Sequence, residues 1–203
     1  MMGSDFNKDS KDVMYLVSKG SVGAEIGVWK ANSSAAFLKR GVKELHLVDP
    51  WSVEPYQHSI GEHGSYENYL ERYSKLTGGK TEEHFKAYYD KTYQQVVKRF
   101  KETPEVKIHR QTSDEWFETF EGKLDWIYID GDHSYEGCLQ DLENAYKVVK
   151  KGGLILGDDY AWPFQKHGKA GVTKAVKEFV LSHSLTLRQE GPTSQFSIER
   201  GEV

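Results

Sequence analysis

A single cysteine, Cys138, stands in 203 residues, so no intramolecular disulfide can form and no thiolate set exists for zinc. The simpler setting is a reducing compartment, and metal chemistry narrows to oxygen ligands and histidine. No apolar stretch nears the roughly 18–20 residues that span a bilayer, and the opening residues MMGSDFNKDSKD lack the apolar core of a signal peptide. A soluble, cytoplasmic protein with no membrane partner is expected. Positive charge is not in excess either: Lys+Arg 27 against Asp+Glu 31 leaves a formal charge of -4, so no global field attracts nucleic acid. No repeat period or low-complexity tract is present, which excludes solenoids and propellers.

What is there suits a packed domain. A hydrophobic fraction of 37% with 13% aromatics supplies a core, and 29% charged residues supply a solvated surface. The length fits one domain over residues 1–203, with an insertion at about 51–103. Short runs of strand length and β-branched or aromatic content occur at Gly23–Val28, Glu44–Val48, Val106–His109, Leu124–Ile129 and Gly153–Leu156. Helix patterns alternate with them at Ser33–Arg40, Ser113–Glu121, Ser134–Lys150 and Val172–Ser182, with Ser or Asn near the first two starts as caps. Lys150 and Lys151 read as a cationic last turn stopped by Gly152-Gly153.

Strands alternating with helices predict an α/β, Rossmann-like, doubly wound sheet, mostly parallel. Leu185–Gln189 and Gln195–Glu199, parted by Gly191-Pro192, predict an antiparallel hairpin edge and a total of about seven strands. Trp51 to Thr103 is too long for one crossover. Its second part sets Phe85, Tyr88, Tyr89, Tyr93, Val96, Val97 and Phe100 on one helical face directed at the core, and its first part, rich in Tyr, His and Gly, is read as a lid.

Ligands of such sheets bind outside the carboxyl ends of the strands. The polar residues there are Glu25 to Ser34, Asp49, Arg110 to Ser113, Asp130 to His133 and Asp158-Asp159. Asp49 follows Glu25 at close to the roughly 20-residue spacing at which an acidic group reaches a ribose. The first loop has one glycine, Gly27, and matches neither G-x-G-x-x-G nor a P-loop. A cofactor with adenosine and no pyrophosphate suits it better. Asp130, Asp132, Asp158 and Asp159 repel one another unless a cation or shared protons intervene, and magnesium or calcium is the natural occupant. The alternative is local: Asp158-Asp159 closing a turn and Asp132 capping the helix that starts at Ser134. His46 and His109 sit within strands and read as structural; His58 and His63 of the insertion, and Tyr160, Trp162 and Phe164 after Asp159, are candidates to line an acceptor pocket, with packing as the alternative.

The segments Glu25-Ile-Gly-Val28, Leu47-Val-Asp-Pro-Trp51, Ile129-Asp-Gly-Asp-His-Ser-Tyr-Glu-Gly137 and Lys151-Gly-Gly-Leu-Ile-Leu-Gly-Asp-Asp-Tyr160 resemble the class I S-adenosylmethionine-dependent methyltransferases. The likeness is nearest to the metal-assisted O-methyltransferases and their macrocin-type sugar branch, and covers about residues 20–200 outside the insertion. It implies S-adenosyl-L-methionine as cofactor, with Glu25 and Gly27 beside the methionine moiety, Asp49 on the ribose, Gln111, Thr112 and Ser113 bordering the adenine, and Ser33 and Asp130 also at the cofactor; Trp51, next to Asp49, reads either as a cover for the adenine or pocket floor or as packing. It further implies Mg2+ (or Ca2+) on Asp130, Asp158 and Asp159, and Asp132 or His133 as general base. The sequence departs at Ala31, where relatives often carry glycine.

These parts make a coherent chemistry. Methyl transfer from a sulfonium to a hydroxyl needs in-line positioning and loss of a proton, and a cation chelating neighbouring hydroxyls serves both. The expectation is an O-methyltransferase acting on a small molecule such as a sugar or a catechol-like ring. Two other classes stay open: an NAD-dependent oxidoreductase, against which the missing glycine fingerprint counts, and a non-catalytic S-adenosylmethionine-binding module. Acceptor identity and oligomeric state, a homo-oligomer included, are not encoded in any motif read here.

Overall fold

The computed structural model describes residues 12–58, 64–160, 171–190 and 194–201. In chain order the elements are β1 (Val22–Ile26), α1 (Asn32–Lys39), β2 (Glu44–Val48), α2 (Glu54–His58), α3 (Tyr66–Thr77), α4 (Glu82–Phe100), β3 (Val106–His109), α5 (Ser113–Thr119), β4 (Leu124–Ile129), α6 (Tyr135–Val148), β5 (Val149–Gly157), α7 (Gly171–Ser182), β6 (Leu187–Glu190) and β7 (Gln195–Glu199). A 3-10 turn at Met14–Leu16 precedes them.

One seven-stranded sheet runs β3-β2-β1-β4-β5-β7-β6. Strands β1 to β5 pair in parallel, and β7 is antiparallel to both β5 and β6. The expected doubly wound sheet with an antiparallel hairpin edge is what forms. Its order reverses between β1 and β4, which opens a crevice at their carboxyl ends.

Period-2 alternation divides the core between the two faces. On β4, Ile127 and Ile129 join Leu142, Val176 and Phe179 from α6 and α7. Trp126 and Tyr128 point the other way, to Phe37 of α1 and Val96 and Phe100 of α4. Burying such side chains is worth about 1.5–3 kcal/mol each, the dominant favourable term.

Three expectations are corrected. Helix α6 stops at Val148, and Lys150 and Lys151 lie in β5. Val149 is extended and pairs with Leu124, so burial of a β-branched side chain in the sheet overrides the dipole argument, and Lys150 bonds Asp125 at 2.5 Å. Gly152 keeps a left-handed φ of 71° but serves the irregularity inside β5. Strand β1 ends at Ile26, short of Val28, because Gly27 turns the chain with φ 85°. Helix α1 has no side-chain cap: its N-cap is Ala31 at φ 58°, the position where relatives often have glycine.

The insertion is helical, as expected: Ser65 caps α3 by accepting from the Asn68 N–H at 3.2 Å, and Gly78 ends it at φ 87°. Helices α2, α3 and α4 share a small core of Val53, Tyr69 and Phe85, packed by Tyr56, Tyr73 and Tyr89. Helix α4 places Phe85, Val96 and Phe100 inward as its spacing predicts. His63, Trp162, Phe164 and the Gly191-Pro192 turn lie outside the described residues, as does the His58 side chain. Among the described residues no helix is long and apolar enough to cross a membrane.

Candidate functional site

Glu25 lies on β1 one residue before its end and is wholly buried. The hydroxyls of Ser33 and Ser34, in the first turn of α1, donate to its two carboxylate oxygens. Those serines are therefore directed back to the strand rather than to the helix start. Burial pushes the Glu25 carboxyl up to about 8, the serine bonds oppose that, and Asp130 and Asp49 add to it.

Gly27 is required by a close approach. A Cβ there would fall on the backbone carbonyl of Asp130 at the end of β4. The loop it begins is held by Asp49, at the end of β2. Asp49 Oδ2 accepts from the Val28 N–H at 3.0 Å and the Trp29 N–H at 2.8 Å, and its Oδ1 accepts from the Trp51 N–H at 2.6 Å. Burial raises the Asp49 carboxyl above its ordinary value, while these N–H groups and Arg110 pull the other way.

The aromatic residues around this loop divide into core and cover. Trp51 is fully buried, donates from Nε1 to the Trp29 carbonyl at 2.9 Å and packs on Tyr93. Its indole belongs to the core beneath the loop. Trp29 Nε1 instead donates to the Tyr88 hydroxyl at 2.8 Å. Tyr56 stacks on Tyr69 at 4.2 Å, and Tyr69 and Tyr89 share a hydrogen bond through their hydroxyls. Burial holds the Tyr56 phenol well above its ordinary value, with Tyr89, Asp49, Tyr73 and Asp132 adding. Helices α2 to α4 thus bring tyrosines over the crevice.

At the end of β3, Thr112 and Glu115 form a reciprocal capping box on α5. The Thr112 N–H donates to Glu115 Oε2 at 2.8 Å, which commits the threonine to the helix start. Gln111 and Ser113 are half-buried beside it. Ser113 bonds the carboxyl of Asp141, a buried residue on α6 that burial pushes up to about 7.

The β4 and β5 ends carry the acidic group. His133 Nε2 stands 3.3 Å from Asp130 Oδ1, and its Nδ1 stands 3.1 Å from Asp159 Oδ2. One ligand atom from each of Asp130, His133 and Asp159 lies within 4.8 Å of the others. Asp158 faces elsewhere: its Oδ2 accepts from the Tyr128 hydroxyl at 3.0 Å and from Gln195 Nε2 at 3.3 Å, and its Oδ1 from the Asp159 N–H and the Ser194 hydroxyl. Asp132 folds over the start of α6. Its Oδ1 accepts from the Ser134 N–H at 2.8 Å, and only a glycine at 137 leaves room for its carboxylate.

The sequence-predicted residues therefore converge, with Asp130, His133 and Asp159 in one group and Asp158 next to it. Tyr160 packs on Phe196. His46 and His109 bond each other away from the group. Sequence reasoning passed over Trp29, Tyr56 and Asp141. The aromatic pair lacks a motif, and a lone Asp on an amphipathic helix gives no signal before its burial is known.

Residues 24–160 match the family model described as a methyltransferase domain. An uncharacterized protein of Acanthamoeba polyphaga mimivirus is 24% identical over 167 residues, which cover 78% of this chain and 56% of that protein. The chain thus spans just over half the length of this curated relative. Two solved structures share the fold: the N-methyltransferase NodS from Bradyrhizobium japonicum WM9, with TM-score 0.58, 12% identity and 95% and 94% of the two chains covered, and the O-methyltransferase NovP, with TM-score 0.55, 18% identity and 97% and 78% covered.

Proposed function

The chain belongs to the class I S-adenosylmethionine-dependent methyltransferases, through its match to the methyltransferase domain family, and from that premise we propose that it is a magnesium-assisted O-methyltransferase of a small molecule with neighbouring hydroxyls. The observation that carries this reading is the crowding of carboxylates in a crevice that lacks a pyrophosphate cradle. Glu25 is buried there and Asp49 half-buried, and Asp130 raises the Glu25 pKa further. Such a site favours a ligand with positive charge, as a sulfonium and an ammonium carry, and disfavours the anionic dinucleotide of an oxidoreductase.

The residues fit both groups. Glu25, steadied by Ser33 and Ser34, is suited to the cofactor's ammonium, Asp49 to the ribose hydroxyls, and Gln111 and Ser113 to the adenine edge. Thr112 contributes through its cap and Trp51 through the floor beneath the loop. When bound, S-adenosyl-L-methionine supplies an electrophilic methyl, and a divalent cation supplies Lewis acidity to an acceptor oxygen. Asp130 and Asp159, with Asp158 adjoining, are suited to hold Mg2+ or Ca2+ by their hard oxygen donors.

His133 is the better proton acceptor of the two residues considered. An imidazole is the usual base near neutral pH, and its ring is held in the acidic group, Nε2 3.3 Å from Asp130 and Nδ1 3.1 Å from Asp159. Asp132, by contrast, accepts the Ser134 backbone N–H at 2.8 Å, which commits its carboxylate to the start of α6. Tyr56, Tyr88 and Trp29 would face the acceptor ring.

Calorimetric titration with S-adenosylhomocysteine, with NAD as control, followed by methyl transfer to vicinal diols in Mg2+ and in chelator, tests the reading. Binding of the first ligand, none of NAD, and chelator-sensitive transfer are expected. Transfer that survives chelation would remove the cation from it, and binding without turnover on any diol would favour a non-catalytic module.

A further inference from the structure

Gln195 opens β7 and is fully buried. An amide in such a place is costly unless both its oxygen and its nitrogen find partners, and here both do. Its Oε1 accepts from the Val13 backbone N–H at 3.1 Å. A backbone N–H can only donate, so this bond fixes which end of the amide is oxygen and turns Nε2 the other way. Nε2 then donates to the Tyr128 hydroxyl at 3.0 Å and to Asp158 Oδ2 at 3.3 Å, and the Tyr128 hydroxyl donates to the same Oδ2 at 3.0 Å.

The other oxygen of Asp158 reaches the acidic group. Oδ1 accepts the Asp159 N–H at 2.8 Å and the Ser194 hydroxyl at 3.0 Å. Asp159 has φ 59°, a left-handed conformation unfavourable for a residue other than glycine, and that N–H bond helps hold it there. In this conformation the Asp159 carboxylate stands 3.1 Å from His133 Nδ1. A directed chain of hydrogen bonds thus runs from the residue before the Met14–Leu16 turn, through β7 and β4, to the Asp158-Asp159 corner.

We propose that Gln195 is a positioning residue, which holds the Asp158 carboxylate and, through it, the Asp159 backbone in the arrangement that receives a divalent cation. This rests on the reading of the acidic group as a cation site. Residues that orient metal-ligating carboxylates characteristically change metal affinity about 10–100-fold when altered.

The test is titration of Mn2+ against the purified protein, followed by the electron paramagnetic resonance of the free ion, for the parent, Gln195→Met, Tyr128→Phe and Asp159→Asn. S-adenosylhomocysteine calorimetry and thermal unfolding accompany each. The expected result is Mn2+ binding about 10–100-fold weaker in Gln195→Met, a smaller loss in Tyr128→Phe, and cofactor-product affinity within about twofold of the parent. Tyr128→Phe decides the matter if Gln195→Met does not fold. Parent-like Mn2+ affinity in the variants, even with a lowered unfolding temperature, would overturn the positioning role alone. A parent that binds no Mn2+ would overturn the cation reading, and this inference with it.

Discussion

His46 Nδ1 lies 3.0 Å from His109 Nε2 across the β2–β3 pair, with Glu44 Oε1 2.9 Å from the other nitrogen of His46. The carboxylate must accept from His46 Nε2–H, which leaves Nδ1 to accept from His109 Nε2–H. One arrangement of neutral rings satisfies the whole row. Trp116 and Phe120 pack on His46, and Trp116 also on His109.

A pH prediction follows from that pair. Burial lowers both histidines below their ordinary 6.5; Glu44 opposes this at His46, and each is further lowered by a neighbouring cation, Lys107 for one and His46 for the other. The unfolded chain therefore takes up protons first, and the pair's stabilisation, complete above pH 6.5, declines as pH falls through that value. Thermal unfolding between pH 7.5 and 5.5 should show it, and His109→Gln should flatten the dependence; an equal slope in that variant refutes it.

Glu25 has the opposite sign. Its folded value of about 8 exceeds the ordinary 4.5, so the apo protein loses stability as pH rises from 4.5 to 8. Glu25→Gln should be more heat-stable than the parent at pH 8.5 and bind S-adenosylhomocysteine more weakly. In the parent, binding at pH 7 should release up to about one proton, read from calorimetry in buffers of different ionisation enthalpy, and the variant should release none from this group.

Asp49→Ala should weaken S-adenosylhomocysteine by roughly 1.5–3 kcal/mol, the worth of a hydrogen bond to a charged group. Unchanged affinity would remove Asp49 from the nucleoside.

His133→Asn should lower kcat about 10²–10⁴-fold, the usual span for a general base, with cofactor affinity kept. Asp132→Asn should cost chiefly the start of α6, about 1 kcal/mol of stability. If the larger kcat loss follows the Asp132 change, the two roles are exchanged.

The strands were legible because alternation and β-branched content are local properties, and β2, β3, β4 and β7 keep their expected bounds. That Asp130, His133, Asp158 and Asp159 meet was legible because strand ends in such sheets converge, but the trio that forms has His133 where Asp158 was expected, because Tyr128, Gln195 and Ser194 hold the Asp158 carboxylate. What stayed hidden depends on long-range partners. Val149 leaves α6 because Leu124, 25 residues earlier, pairs with it. Ser33 and Ser34 forgo capping because a buried carboxyl on β1 needs them. Gln195 reads as an ordinary polar strand residue until Val13 and Asp158 are found at its two ends. Tyr66, Tyr69 and Tyr73 of α3 recur at helical spacing, but that they pack on Phe85 of α4 depends on how the chain folds.

The three backbone N–H groups gathered by Asp49 have a consequence for redesign. The side chain that would recognise the nucleoside is also the keystone of the turn that shapes its pocket. Specificity and architecture are thus written into one position. Any attempt to retune this crevice for a bulkier or differently charged nucleoside has to leave residue 49 alone and begin at the neighbouring strand end, at Gln111.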